Sequence, residues 1–480
     1  MEEYKLYIGG EWIETATGKV IDDIDPYTGE TFARIHTAGP NEVELAISAA
    51  ANAQPSWAQL LNDKKELVFL RAADYLESNS SELARLLICE SGSTLIKTIG
   101  EIEECVNIFR SAAGECRRID GGVVPPDMQG QMSYYIKQPF GIVAGIAPFN
   151  YPLLLALNKA AFAIAAGNSF ILKPASDTPF SALVIALCFE AGGLPKGVFN
   201  VIPGSGGLIG DALITDPRIK MITFTGSTEV GRDIAANSAR YFKRVTLEMG
   251  GKNPVIVLSD CDLQKAVEIA AFSAFFHQGQ ICMAGSRIIV EAPIYNDFCD
   301  MLLKKIKSFK IGNPHEPDTA IGPLINDKHY LVLDEQIADA VSKGAKLTTG
   351  GGHKNAFYEP SLLVDVTPDM RTFHEEGFGP LACVVKAHDS EDALRLCNLN
   401  EYGLSSAVLT NDLQKAFYMA MRMESGMVRV NASTVMGSRR APFGGIKNSG
   451  MGRENSSFSI DEFTDLKWIT MNYIPPDYPI

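Results

Sequence analysis

No apolar run in this 480-residue sequence is long enough to span a bilayer; the most hydrophobic stretch, residues 153–166, is broken by Asn158 and Lys159. Basic charge is also short. The chain has 43 Lys and Arg against 57 Asp and Glu, a net charge of −14, and no basic stripe interrupts the acidity. Neither nucleic acid nor an anionic membrane surface is therefore an expected partner. Paired ligand spacings are missing as well. The nine cysteines include no CxxC and the seven histidines no HxxxH or HExxH, which argues against a disulfide framework and a metal centre and for reduced thiols. The opening MEEYKLYIGGEWIETATG is acidic where a signal peptide is basic and has no long apolar core, so a cytoplasmic protein is expected.

What the sequence does have is a rhythm. At 46% hydrophobic and 21% charged, it has room for two or three domains. From Gly141 short apolar strands alternate with helical stretches: GIVAGIAPF, then YPLLLALNKAAFAIAAG, SFILKPA, TPFSALVIALCFEAGG, GVFNVIPG, IKMITFTG and RVTLEMG. The pattern predicts parallel βαβ units in an α/β fold with a doubly wound sheet. It resumes in NPVIVL, FGPLACVVKAH, LSSAVLTND and GMVRVN. The expected division is a Rossmann-type unit over 1–119 and 141–247, a second α/β catalytic unit over 248–447, and a small β arm and tail over 120–140 and 448–480. Arm and tail have apolar faces without a core of their own. They read as pairing with another chain, or else as lying on their own domain.

Two glycine-rich turns link strand to helix, PGSGGLIG with Gly206 and FTGSTEVG with Gly226. In the second, Ser227 and Thr228 can cap a helix whose first amides face a pyrophosphate. One strand earlier, ILKPASDTP offers Lys173 to an adenosine ribose. Asn150 in APFNYP and Glu248 in LEMGGKNP fall at strand ends, where open α/β sheets bind ligands. The commonplace readings are a helix cap for Asn150 and a solvated surface position for Glu248. Together with Cys282 in FFHQGQICMAGSR they could instead form a nucleophile, a base and an oxyanion donor. Most of the other cysteines read as small buried hydrophobes.

These segments, with EEGFGP and APFGGIKNSGMGRE, occur in an order that resembles the aldehyde dehydrogenase superfamily over essentially the whole chain. The resemblance implies a cytoplasmic homodimer or homotetramer that oxidises an aldehyde with NAD or NADP. Cys282 would be the nucleophile, Glu248 the general base, and Asn150 the oxyanion donor together with the Cys282 amide. Glu376 would hold the nicotinamide ribose and Phe378 pack near the nicotinamide. A thiolate with a pKa below the free value of about 8.5 attacks the aldehyde. The thiohemiacetal loses hydride to the nicotinamide, and water hydrolyses the thioester.

Relatives strict for NAD often carry Glu where this chain has Ser176, so NADP is expected to be accepted; alternatively Ser176 only starts a helix at Asp177. HQGQICM resembles the benzaldehyde and vanillin enzymes of the superfamily. Tyr151, Leu155, Ile281 and Met283 would then wall an aromatic or other apolar aldehyde. Arg439 and Arg440, in a loop that lines the entrance in relatives, could instead greet a carboxylated semialdehyde. Asn158 stands where semialdehyde enzymes often have arginine, which weakens that alternative. A CoA-acylating enzyme is disfavoured by Glu248, and a binding protein without turnover by the presence of all three catalytic candidates.

Overall fold

The computed structural model describes residues 2–479. Continuously apolar strands such as Ser169–Lys173 are buried along their whole length, as a parallel sheet covered on both faces requires. Five largely buried strands form the middle of an eight-stranded sheet, in the spatial order Arg244–Met249, Ile219–Gly226, Ile142–Ile146, Ser169–Lys173 and Phe199–Val201. All four contacts among them are parallel. The chain enters at the central strand Ile142–Ile146, builds outward on one side, then returns to build on the other. That reversal leaves a crevice at the carboxyl ends of Ile142–Ile146 and Ile219–Gly226.

The helix Pro152–Ala165 starts with proline at its first turn and buries nearly every residue. It lies against the long helix Leu95–Glu115. Trp57 locks another helix onto it, its indole N–H donating to the Ile164 carbonyl at 2.8 Å. A second, seven-stranded sheet centres on Arg287–Glu291 and Pro254–Val257 and is parallel except for the edge strand Lys346–Thr349.

Two expected boundaries shift. Glu248 lies inside the strand Arg244–Met249 of the first sheet, so the crossing to the second sheet is at 250–253 and not at 248. Part of the expected tail also belongs to the first sheet. Gly450–Met451 pairs antiparallel with Leu247 and Glu248, because its glycine has no side chain to strike the Leu247 carbonyl, 2.1 Å from where a Cβ would lie. The rest of the tail, Thr464–Asn472, pairs along its full length with the arm strand Gln131–Pro139. Arm and tail thus make one three-stranded sheet, leaving Leu466 and Trp468 exposed. Among the described residues no helix is long and apolar enough to cross a membrane.

One buried acid pair sits in this framework. Asp23, on the strand Val20–Ile24, meets Glu90, on the helix Ser80–Ser91. Glu90 also accepts from the Ser181 amide at 3.1 Å. Burial first, then the neighbouring Glu90 carboxyl, pushes Asp23 well above the usual carboxylate range, and burial raises Glu90 too. Both Asp23 oxygens lack a partner when drawn ionised, as expected for two carboxyls sharing a proton. A raised folded pKa stabilises below the ordinary carboxylate range and is lost as pH climbs through the folded value. Asp23→Asn, which supplies a permanent donor, should gain stability relative to wild type by about 1–2 kcal/mol between pH 5 and pH 9. Thermal unfolding across that range checks it; a constant difference in Tm would refute the shared proton.

Candidate active site

The crevice opens into a cavity of about 750 Å3. Its floor carries Asn150, Lys173 and Glu248, each just after or at the end of a parallel strand, and Cys282, Glu376 and Phe378 close it from the second sheet's side. Lys173 is buried, and its ammonium donates to the Pro174 carbonyl at 2.8 Å; burial pushes its pKa down to about 8. Ser227 caps the helix Thr228–Ala239, its hydroxyl accepting from the Val230 amide at 3.4 Å. Thr228 turns away, donating to the Asn448 carbonyl at 3.4 Å. Gly206 opens the helix Gly206–Thr215 with nothing within 4 Å of where a Cβ would lie, leaving its turn free for a ligand.

Ser176 stands outside the lining. It is exposed, with its hydroxyl 3.5 Å from the Gly204 carbonyl. The helix after it begins at Phe180, so Ser176 does not start it. Glu376 accepts from the Gly251 amide at 3.1 Å, and burial lifts its pKa to about 7. It approaches so closely that a Cβ on Gly250 would lie 2.0 Å from its Oε2. Phe378 is held at φ 49° and meets Phe149 edge-on, centroids 5.6 Å apart. His329 completes this aromatic wall, and no sequence signal pointed to it or to Phe149. Glycine-lined turns, helix amides, an aromatic wall and buried carboxyls fit a dinucleotide.

Cys282 follows a strained turn. After the helix Leu263–Phe275, His277 and Gln278 take φ of 51° and 54°, and Gly279 packs where a Cβ would lie 2.2 Å from the Gly379 carbonyl. Side chains hold this shape. Gln278 donates to the Gly92 and Pro323 carbonyls at 3.2 and 2.9 Å, and Gln280 accepts from the Ile325 amide at 3.1 Å. Asn253 donates to the carbonyls of Cys282 and Ala284 at 2.8 and 3.0 Å. Asn150 is not a helix cap: its amide donates to the Gln280 carbonyl at 2.9 Å, tying the first sheet to the cysteine turn. The polar letters of FHQGQIC carried a signal for this buried turn; Asn253 carried none.

The expected lowering of the Cys282 pKa is not what the structure gives. Burial, then the Glu376 and Glu248 carboxyls, pushes the thiol up to about 12, and the amides of Met283 and Cys282 only partly offset this. Glu248 is far from a surface position. It is buried, both oxygens lack partners, and burial followed by the nearby Glu454 pushes its pKa well up. Glu454 in turn accepts from Lys159 and from Asn158, the latter at 2.9 Å. Among the described residues no group of three or more His, Cys, Asp or Glu could hold a metal.

Cys282 also lines a second cavity, of about 340 Å3. Tyr151, Leu155, Ile281 and Met283 wall it, with Phe272, Phe276 and Phe443, which the sequence reading had not singled out. Arg439 reaches this cavity; Arg440 does not. Arg440, next to it in the same turn, is exposed and outside the lining. Tyr151 is fixed by a buried pair that KTIGE disguised as an ordinary i,i+4 surface pair. Lys97 lies 4.2 Å from the Tyr151 ring centroid and 2.5 Å from Glu101. Glu101 accepts from the amides of Leu153 and Leu154 at the start of the next helix.

The electrostatics make a prediction for the cofactor-free protein. Alkylation of Cys282 by iodoacetamide should keep accelerating above pH 9, since only the thiolate reacts. Glu376→Gln removes the carboxyl that, after burial, raises the thiol most, so the titration midpoint should move to lower pH and the alkylation rate at pH 8 should rise several-fold. A midpoint below pH 8 in the unaltered protein would refute a thiol half-buried beside two carboxyls.

Comparison with known proteins agrees with this architecture. The chain is 37% identical over 476 residues to benzaldehyde dehydrogenase YfmT of Bacillus subtilis, covering 99% of this chain and 98% of that one. It is 39% identical over 473 residues to glutarate-semialdehyde dehydrogenase of Pseudomonas aeruginosa, covering 98% of each. A crystal structure of salicylaldehyde dehydrogenase from Pseudomonas putida G7, complexed with salicylaldehyde, superposes with a TM-score of 0.98 at 34% identity over the full length of both chains. The sequence profile of the Aldehyde dehydrogenase family matches residues 12–469, and the chain belongs to that family.

Proposed function

We propose that this NAD(P)-dependent aldehyde dehydrogenase oxidises an aromatic or otherwise apolar, uncharged aldehyde to its carboxylic acid. One observation carries the reading: Cys282 lines both cavities, the dinucleotide-sized one and the smaller one walled by aromatic and aliphatic side chains. A nicotinamide dinucleotide, when bound, supplies the hydride acceptor and a positive ring charge. Lys173, Ser227, Glu376 and Phe378 are the residues that would hold it. The Cys282 thiol loses its proton to solvent and the sulfur attacks the aldehyde carbon, the carbonyl π pair moving to oxygen; loss of hydride from that carbon would leave the thioester. Asn150 has a second amide hydrogen beyond the one given to Gln280, and with the Cys282 amide it donates to the oxyanion. Glu248, unpartnered and of raised pKa, accepts a proton from the water that hydrolyses the thioester.

The benzaldehyde and salicylaldehyde relatives support an aromatic substrate, and the glutarate-semialdehyde relative supports a carboxylated one. Asn158 argues against the second, since it is spent on Glu454 and brings no cation to the cavity. A panel of aldehydes assayed by reduced-nicotinamide absorbance with each cofactor tests the reading. Benzaldehydes should give the higher kcat/KM; a preference for straight-chain semialdehydes would overturn it.

For the cofactor, the absence of an acidic residue at Ser176 supports acceptance of NADP beside NAD. Ser176 itself lies outside the cavity lining but only three residues beyond Lys173, and the longer carboxylate of Glu there would reach toward a 2′-phosphate held beside Lys173; unit charges about 4 Å apart near a surface interact by about 4 kcal/mol before screening. Ser176→Glu should cost roughly 1–3 kcal/mol of NADP affinity, on the order of 10- to 100-fold, with NAD affinity held or improved. Cofactor titration of both proteins at fixed salt checks this. Equal responses of the two cofactors, or rejection of NADP by the unaltered protein, would refute it.

A further inference from the structure

The mouth of the aldehyde cavity carries a charge pair that the oxidation chemistry leaves unused. Arg439, in the loop before APFGG, forms an ion pair with Glu104 on the helix Leu95–Glu115, and both line the cavity. Their side chains are 34% and 47% exposed, so the pair is in reach of solvent and of an entering molecule. The Arg439 Nε is buried and has no hydrogen-bond partner, so Glu104 leaves the guanidinium incompletely paired. Of the other charges of the lining, Lys97, Glu101 and Glu454 are committed elsewhere. Lys97 is held by Glu101, and Glu454 by Lys159. Glu103, beside Glu104, has no cationic partner among the described residues and adds negative charge at the same mouth.

We propose that Glu104 is a specificity-determining residue: by occupying the Arg439 guanidinium it denies a carboxylated aldehyde its cation and selects uncharged aldehydes. An incoming carboxylate must displace Glu104 from a planar fork that suits either acid, and must do so beside Glu103. An uncharged aldehyde displaces nothing. Specificity of this kind rests on a group that rejects the competitor as much as on the apolar walls that accept the substrate. The inference rests on the uncharged-aldehyde reading above and assigns its selectivity to one residue.

The test compares benzaldehyde with 4-carboxybenzaldehyde, which share the ring and the aldehyde and differ by one carboxylate, in the full-length enzyme with saturating cofactor. The unaltered enzyme should favour benzaldehyde in kcat/KM. Glu104→Gln should raise the carboxylated-to-neutral ratio roughly 10-fold, mainly through a lower KM for the acid, and the gain should shrink as salt is raised. Adding Arg439→Gln should remove the gain. Glu104→Ala, which frees the same guanidinium without an amide in its place, should shift the ratio in the same direction. A ratio unmoved by both Glu104 variants, or a gain that survives loss of Arg439, would overturn the proposal while the preference for benzaldehyde stands. A wild-type preference for the carboxylated aldehyde would instead refute the substrate class itself.

Discussion

The crossing between the two sheets, residues 250–253, constrains everything at the site. The chain leaves the first sheet at Met249, directly after Glu248, and enters the second at Pro254. Within that crossing Gly250 has no side chain, which lets Glu376 press against it, and the Gly251 amide holds that carboxyl. Asn253 reaches outward. Its carbonyl accepts from the Ser405 amide at 2.9 Å while its amide bonds the Cys282 turn. Glu248, Glu376 and Cys282 are therefore positioned by one short stretch of backbone. A side chain of any size at Gly250 would separate them.

Burial gives these groups their chemistry and also sets their resting state. Removing water from a carboxyl or a thiol disfavours its charged form, and here three such groups face one another. Cys282, Glu248 and Glu376 all shift upward. A protonated resting thiol is chemically quiet, and a carboxyl of raised pKa is the stronger base once it has lost its proton. Reactivity at such a centre depends on what charge arrives. The fold supplies two cavities, proposed above for cofactor and aldehyde, and the thiol stands where they meet.

The smaller cavity is built on paired charges behind an apolar wall. Lys97 with Glu101 steadies Tyr151 and the start of the helix Pro152–Ala165, and Lys159 with Asn158 anchors Glu454. Buried pairs of this sort add little net stability but are costly to break singly, so they fix geometry. The exposed pair at the mouth, Glu104 with Arg439, is weak by comparison and therefore open to competition.

Much of this was legible in the sequence. Parallel strands showed as apolar runs, and the turn residues around Gly206, Gly226 and Ser227 lay where strand gives way to helix. APFNYP, LEMGGKNP and GQIC marked Asn150, Glu248 and Cys282 by their likeness to a family. Those signals are local: strand periodicity, helix starts and tight turns are set by side chains within a few residues of one another. What escaped was whatever depended on distant segments meeting. Asn158 and Glu454 are 296 residues apart, so nothing in NKAAF announces their bond. Arg439 and Arg440 look alike in sequence, yet only one reaches the cavity, and that one is taken by Glu104. The sign of the Cys282 shift likewise depended on how much water the assembled fold excludes and which carboxyls it brings near. Sequence determined the strands, the turns and the reacting groups; tertiary packing alone decided their burial, their partners and their charge, because desolvation and long-range contact exist only once the chain has closed on itself.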